Sequence, residues 1–113
     1  MLPRKHRLAT DKDVTRVLRK GRAVFTNLLA VKALGNDLGF PRITVVVSTK
    51  VNKRAVKRNL IKRRIRSVLE QLIPKMPIGV DMVITAKNEA VTRSQADLGA
   101  ALEYCLKKIG LLS

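Results

Sequence analysis

Residues 53–66 read KRAVKRNLIKRRIR, and eight of these fourteen positions are Lys or Arg, with no carboxylate among them. A second pattern runs through the same stretch. Ile61, Ile65, Val68 and Leu72 stand at i, i+4, i+7 and i+11, the spacing of one buried helical stripe. Continued backward, the stripe meets Arg58 and Arg54, so the first turns cannot be buried. Ala55, Asn59, Lys62 and Arg66 form a second stripe on the other side, with Arg63 beside it. The C-terminal half of this helix is therefore expected to anchor in the core, while its N-terminal half and outer face present charge. Asn52 is the expected cap, Val51 can staple to Val56, and Pro74 with Pro77 sets the end near Ile73.

Upstream, Leu2 to Leu8 is a basic lead-in read as an extended arm spanning residues 1–9. Thr10 is a candidate N-cap with Asp13 three residues on, and Val14, Val17 and Leu18 mark an apolar face. With Gly21 as a stop, this predicts a first helix over roughly residues 11–20. Residues 23–34 read as one bent strand or two short ones, interrupted at Thr26-Asn27. A turn-rich segment at 35–39 separates them from a β-branched strand at 43–49, and the two regions suggest an antiparallel hairpin. Downstream, residues 80–86 (VDMVITA) form another strand. Thr92 or Ser94 opens a last helix with Leu98, Leu102, Cys105 and Ile109 on one face and Gly99 inside it. The resulting class is α/β (α+β), a two-layer sandwich of helices on a small mixed sheet, in the order α-β-β(-β)-α-β-α.

The chain has 113 residues, enough for a single domain with one core, and its 46% apolar content argues for a packed fold. Lys and Arg number 24 against 8 Asp and Glu, a formal charge of +16. That imbalance destabilises the compact state by self-repulsion, which an anionic partner relieves. An ordinary solvated helix face interleaves carboxylates for i, i+4 pairing, yet the first acid after Lys53 is Glu70. A polyanion, with nucleic acid foremost, is the expected partner. Arg can fork onto phosphate, Lys acts as a mobile point charge, and Asn59 offers an amide to a sugar or base edge.

Other classes find little support. No apolar run approaches a membrane span, and no signal-peptide core follows the basic start, so a soluble, cytoplasmic protein is expected. The single cysteine, Cys105, excludes an internal disulfide and a cysteine-based zinc site, and reads as a small core residue. The eight carboxylates show no paired or metal-binding spacing, and Asp81 reads only as the start of a strand. His6, the one histidine, lies in the basic arm and is expected to be solvated. No catalytic residue and no protein metal site are expected. With only Phe25, Phe40 and Tyr104 as aromatics, affinity must rest mainly on phosphate contacts and shape.

These features together resemble the bacterial ribonuclease P protein subunit. Arg58-Asn59-Leu60-Ile61-Lys62-Arg63-Arg64-Ile65-Arg66 fits that family's R-N-x-x-K-R-x-x-R pattern. The strand Thr44 to Val47 running into Ser48-Thr49-Lys50, the opening Leu2-Pro3-Arg4-Lys5-His6-Arg7-Leu8 with Asp13, Val17 and Gly21, and the strand from Val80 to Lys87 are similar to its other segments. The resemblance spans roughly residues 2–106.

What the resemblance implies is an accessory subunit. A catalytic RNA with Mg²⁺ would hydrolyse one phosphodiester and remove the 5′ leader of precursor tRNA, and the protein would supply no catalytic group. Arg58, Asn59, Lys62, Arg63 and Arg66 would contact the catalytic RNA, with Lys50, Lys53 and Arg54 adjacent. The leader would lie in a cleft between sheet and helices. The fold would include a left-handed βαβ crossover through the helix at 53–73, against the general right-handed rule. Leu60 stands where many members carry Arg. Val14, Leu18 and Lys32 stand where relatives often carry cleft aromatics, which would make the cleft more aliphatic. No protein partner is implied. The competing readings are a structural RNA-binding protein of ribosomal type and a protein-only nuclease.

Overall fold

The structure, a computed structural model, describes residues 4–50, 53–76 and 79–112. In chain order it contains α1 (Asp11–Lys20), β1 (Arg22–Phe25), β2 (Leu29–Gly35), β3 (Arg42–Val46), α2 (Ala55–Leu72), β4 (Val80–Ala86) and α3 (Gln95–Ile109), with short 3₁₀ turns at Arg4–His6, Ile73–Lys75 and Asn88–Thr92. The strands form one mixed sheet in the order β1-β2-β4-β3.

β4 organises that sheet. Six of its seven residues are buried, the mark of a strand covered on both faces and paired on both edges. It runs antiparallel to β2 and parallel to β3, so β3, α2 and β4 make one βαβ unit. The hairpin expected between residues 23–34 and 43–49 does not form, because β4 inserts between β2 and β3. The hairpin that does form is β1 with β2. Its turn is made by Thr26, whose Oγ1 accepts from the N–H groups of Leu28 and Leu29 at 3.1 and 3.3 Å. The polar interruption at Thr26-Asn27 is thus a turn between two strands, not a bend in one.

One sheet face carries Val31, Ala33, Ile43, Val45, Met82 and Ile84 against α2 and α3, and this is the main core. In α2, Ile61, Ile65, Leu69 and Leu72 are buried. Val68, assigned to the buried stripe from its spacing, is half-buried and turns toward α3. A Cβ added to Gly99 would sit 3.3 Å from Val68 Cγ2, so the helix-weakening glycine lets α2 and α3 approach. α2 begins at Ala55, two residues later than its charge run; Val51, Asn52 and Pro77 lie outside the described residues. Ser94, not Thr92, caps α3, its hydroxyl accepting from the Asp97 N–H at 3.2 Å. Cys105 is buried in the core, where burial pushes its thiol pKa up against the opposing pull of the Lys87 charge.

The other face is covered in part by α1. Thr10 caps it, accepting from the Asp13 N–H at 3.2 Å and donating to Asp13 Oδ2 at 2.8 Å. Val17 and Val14 then pack with Leu8, Leu34 and Val83. Gly21 ends the helix with φ of −72°, not in a left-handed cap; a Cβ there would lie 2.5 Å from the Val17 carbonyl oxygen. Close approach selects this glycine.

Two readings of the N-terminal segment are corrected. It is not an extended arm: Arg7 bridges to Ile43, the Leu8 N–H donates to the Ile43 carbonyl at 3.0 Å, and Leu8 is buried. The segment thereby covers part of the otherwise open edge of β3. Nor is His6 solvated. It is buried, Nδ1 donates to the Pro41 carbonyl at 2.7 Å, and its ring meets Phe40 edge-on at 5.8 Å.

Candidate nucleic-acid interface

The register of α2 decides which cations can meet a partner. With Ile61, Ile65 and Leu69 turned inward, Asn59, Arg63 and Arg66 come to the surface and border one shallow depression with Ser67 and Glu70. Lys62 and Arg58 lie beside them and are half-buried, their aliphatic stems running along the helix. The Arg58 guanidinium donates to the Lys53 carbonyl at 2.9 Å and so folds over the start of the helix. Lys50, Lys53 and Arg54 are exposed ahead of the first turn, where Arg54 occupies the cap position without a side-chain cap bond. All eight basic and amide side chains proposed from sequence therefore lie on or beside the N-terminal two-thirds of α2. Leu60 is half-buried on the same helix.

Arg64 separates from this group, although charge alone cannot distinguish it from Arg63. Its guanidinium donates to the Arg93 carbonyl at 2.9 Å, tying α2 to the segment that leads into α3. Arg66 reaches a further region. It shares a depression with Arg7, Leu8, Thr44 and Val45, between the N-terminal segment and the edge of β3.

On the opposite sheet face, α1 covers the row of Asp81 and Val83 and leaves the C-terminal ends of β3 and β4 open. Strand pairing puts Phe25, Ala30, Thr85 and Val46 side by side on this open floor. Phe25 is 67% exposed and Leu18, on the flank of α1, is 42% exposed. Val14 is half-buried beneath the same flank. Lys32 crosses the gap, its Nζ donating to the Leu18 carbonyl at 2.8 Å. The structure thus places Val14 and Leu18 on α1 beside Lys32 of β2, with Lys32 partly committed to the end of α1.

Phe25 is the aromatic of this floor. Lys87 Nζ lies over one face of its ring, 4.6 Å from the centroid, and donates to the Thr26 carbonyl at 2.7 Å, which steadies the ring and puts a cation beside it. Phe40 is elsewhere, packed against His6 with Lys5 over its ring at 5.6 Å.

Beneath α1 lies a polar cluster that sequence reading missed. Asp81 is fully buried. Its Oδ1 accepts from Arg42 Nε and Asn36 Nδ2, both at 2.8 Å, and Oδ2 accepts from Arg42 Nη2 at 2.7 Å. Arg16 approaches Oδ2 at 3.6 Å, and Arg42 also reaches Asp13 Oδ2 at 3.4 Å. Burial works against the charged carboxyl. The Arg42 and Asn36 hydrogen bonds and the Arg42 and Arg16 charges outweigh it, leaving Asp81 below its ordinary pKa. Arg42 is correspondingly raised, first by its hydrogen bonds to Asp81. This cluster orients the support of α1; it offers no open coordination to a substrate. Among the described residues, no three His, Cys, Asp or Glu side chains come close enough to hold a metal ion. No helix there is long and apolar enough to cross a membrane.

Comparison with known proteins agrees on one relationship. The family model described as Ribonuclease P matches residues 2–110. The ribonuclease P protein component of a Pseudanabaena species is 34% identical over 113 residues, covering 99% of this chain and 97% of the relative. That of Rhodococcus opacus is 36% identical over 120 residues, covering 100% and 95%. The solved structure of the Staphylococcus aureus RNase P protein superposes with a TM-score of 0.87 at 26% identity, over 96% of this chain and 98% of the other. The RNase P protein of Thermotoga maritima shares the fold, with a TM-score of 0.81 at 22% identity over 90% and 96%. The chain belongs to the ribonuclease P protein family, the protein subunit of the ribonucleoprotein endoribonuclease that matures the 5′ end of tRNA.

Proposed function

We propose that this subunit docks a catalytic RNA through α2 and holds the leader of precursor tRNA on the open half of the sheet beside α1, in the cytoplasm. The observation that carries this reading is the division of surface. Asn59, Arg63 and Arg66 present donors without an interleaved acid until Glu70, while Phe25, Leu18 and Lys32 border a separate, partly apolar floor. The first suits a phosphate backbone, which Arg can fork onto. The second suits unstacked single-stranded bases. In this proposal the protein contributes position and charge, and Mg²⁺ serves the hydrolysis within the RNA. The donor set agrees, because α2 offers cations and an amide where a divalent ion needs clustered oxygen ligands. A structural protein of ribosomal type is not favoured, given the family match across residues 2–110.

Reconstitution is the decisive experiment. Added to a cognate ribonuclease P RNA, the protein should restore precursor-tRNA cleavage at low Mg²⁺, and the RNA-free protein should cleave nothing. Absence of rescue with a cognate RNA would sink the reading; metal-dependent cleavage by protein alone would move the chemistry into the chain.

The floor carries its own prediction. Phe25→Ala should lower holoenzyme affinity for leader-bearing precursor by about 1–3 kcal/mol, the value of one base–aromatic stack, and leave mature tRNA affinity unchanged. Equal loss for both RNAs would remove Phe25 from the leader site.

A further inference from the structure

The outer crest of α1 is unexplained by either surface above. Lys12, Arg16, Arg19 and Lys20 are all exposed, at i, i+4, i+7 and i+8, and with Asp11 and Thr15 border one shallow groove on the side of the sheet away from α2. Like charges three or four residues apart destabilise a helix. The carboxylates of α1 relieve them only in part: Asp13 is turned to Thr10 and Arg42, and Asp11, in the first turn, is the one acid on a groove with four cations. Among the described residues Arg16 alone of the four has an ion-pair partner, Asp81 at 3.6 Å, and even its side chain is 46% exposed. At 1.5 Å rise per residue, Lys12, Arg16 and Lys20 stand about 6 Å apart along the axis, with Arg19 beside Lys20.

We infer that this crest is a second RNA-backbone contact, and that it takes phosphates of the precursor tRNA, not of the catalytic RNA. The same helix walls the open floor through Val14 and Leu18, so a strand leaving the floor meets the crest next, whereas α2 lies across the sheet. The inference rests on the proposed assignment of the floor to the substrate. It gives the protein two RNA faces on opposite sides of one sheet.

The test is a reconstituted holoenzyme carrying Lys12→Gln, Arg19→Gln and Lys20→Gln, with Arg16 kept for its contact to Asp81. Affinity for precursor tRNA should fall at least about tenfold, and the slope of log K on log salt should flatten by about two, as for three lost single-strand phosphate contacts. Affinity of the protein for the catalytic RNA should stay within about twofold of wild type. Lys12→Arg with Lys20→Arg should bind precursor as wild type does. The RNA-free triple variant should melt close to wild type, since relief of like-charge repulsion is offset by the loss of the cations Arg19 and Lys20 from the last turn, which separates a binding defect from a folding one. Unchanged precursor affinity overturns the inference, and so does a loss confined to the catalytic RNA. In either case, intact rescue of cleavage by the variant leaves the docking role of α2 standing. A wild-type protein that adds nothing to the precursor affinity of the RNA overturns the parent reading and the crest with it.

Discussion

Replacing Asp81 by Ala should cost about 3–5 kcal/mol of folding stability, because it strands a charge whose partner is fully buried. Arg42 spends two guanidinium nitrogens on this carboxylate, at 2.8 and 2.7 Å, and Asn36 a third donor. Removing the acceptor takes from these donors their closest partner and leaves Arg42, among the described residues, with Asp13 alone, at 3.4 Å. Total stability of a domain is about 5–15 kcal/mol, so the RNA-free variant should lose a large fraction of its stability. Urea denaturation followed by far-ultraviolet circular dichroism measures this in a chain without Trp. A paired replacement, Asp81→Leu with Arg42→Met, separates ionic from packing causes. If the stranded charge is the cost, the double variant should recover more than half of the loss. Equal damage in both variants would place the cost in shape, not charge.

The same carboxyl sets an acid limit. Its folded pKa lies below its unfolded value, so the cluster contributes stability in full above about pH 4 and loses it as pH falls through the folded value. Asp81→Asn cannot titrate. Its denaturation midpoint should therefore show a smaller fall than wild type on acidification below about pH 4. A parallel fall in both proteins would assign the acid limb to other groups.

How much of this was legible beforehand depends on where the determining contacts lie. The inward stripe of α2 was readable because Ile61, Ile65 and Leu72 repeat locally; Leu69 and Val68 exchanged places because α3 occupies one flank. The caps at Thr10 and Ser94 are likewise local. Strand order was not readable, since nothing near residues 43–49 announces that residues 80–86 will pair there in parallel. The continuous apolar run VDMVITA did signal a central strand, and could have argued against the direct hairpin. Asp81 does stand at the entry of β4, but its ion pairing and the burial of His6 were not legible for one reason: their surroundings come from Arg42 and Asn36, and from Pro41 and Phe40, which are brought in by the fold. The cations of the α1 crest, Lys12, Arg16, Arg19 and Lys20, are countable in the sequence, but their position beside the open floor follows only from the fold.

Within that run, structure makes a distinction that charge cannot, and the distinction is testable. Arg63 and Arg66 face outward beside Asn59, whereas Arg64 donates to the Arg93 carbonyl at 2.9 Å. If five phosphates are neutralised on α2, log K for the catalytic RNA should fall with log salt at a slope of about −3.5 to −4.5. Arg63→Ala and Arg66→Ala should each flatten that slope by about one unit, whatever the RNA sequence, and the double variant by about two. Arg64→Ala should leave the slope unchanged and instead lower the stability of the RNA-free protein by about 1 kcal/mol, the net worth of one partly exposed hydrogen bond. The three single variants therefore form a matched set with equal charge loss and different expected readouts. Were Arg64→Ala to flatten the slope as much as Arg63→Ala, net charge and not position would govern binding. Were Arg63→Ala and Arg66→Ala to leave the slope intact, the RNA face would lie off α2, and the crest of α1 would be the next surface to neutralise.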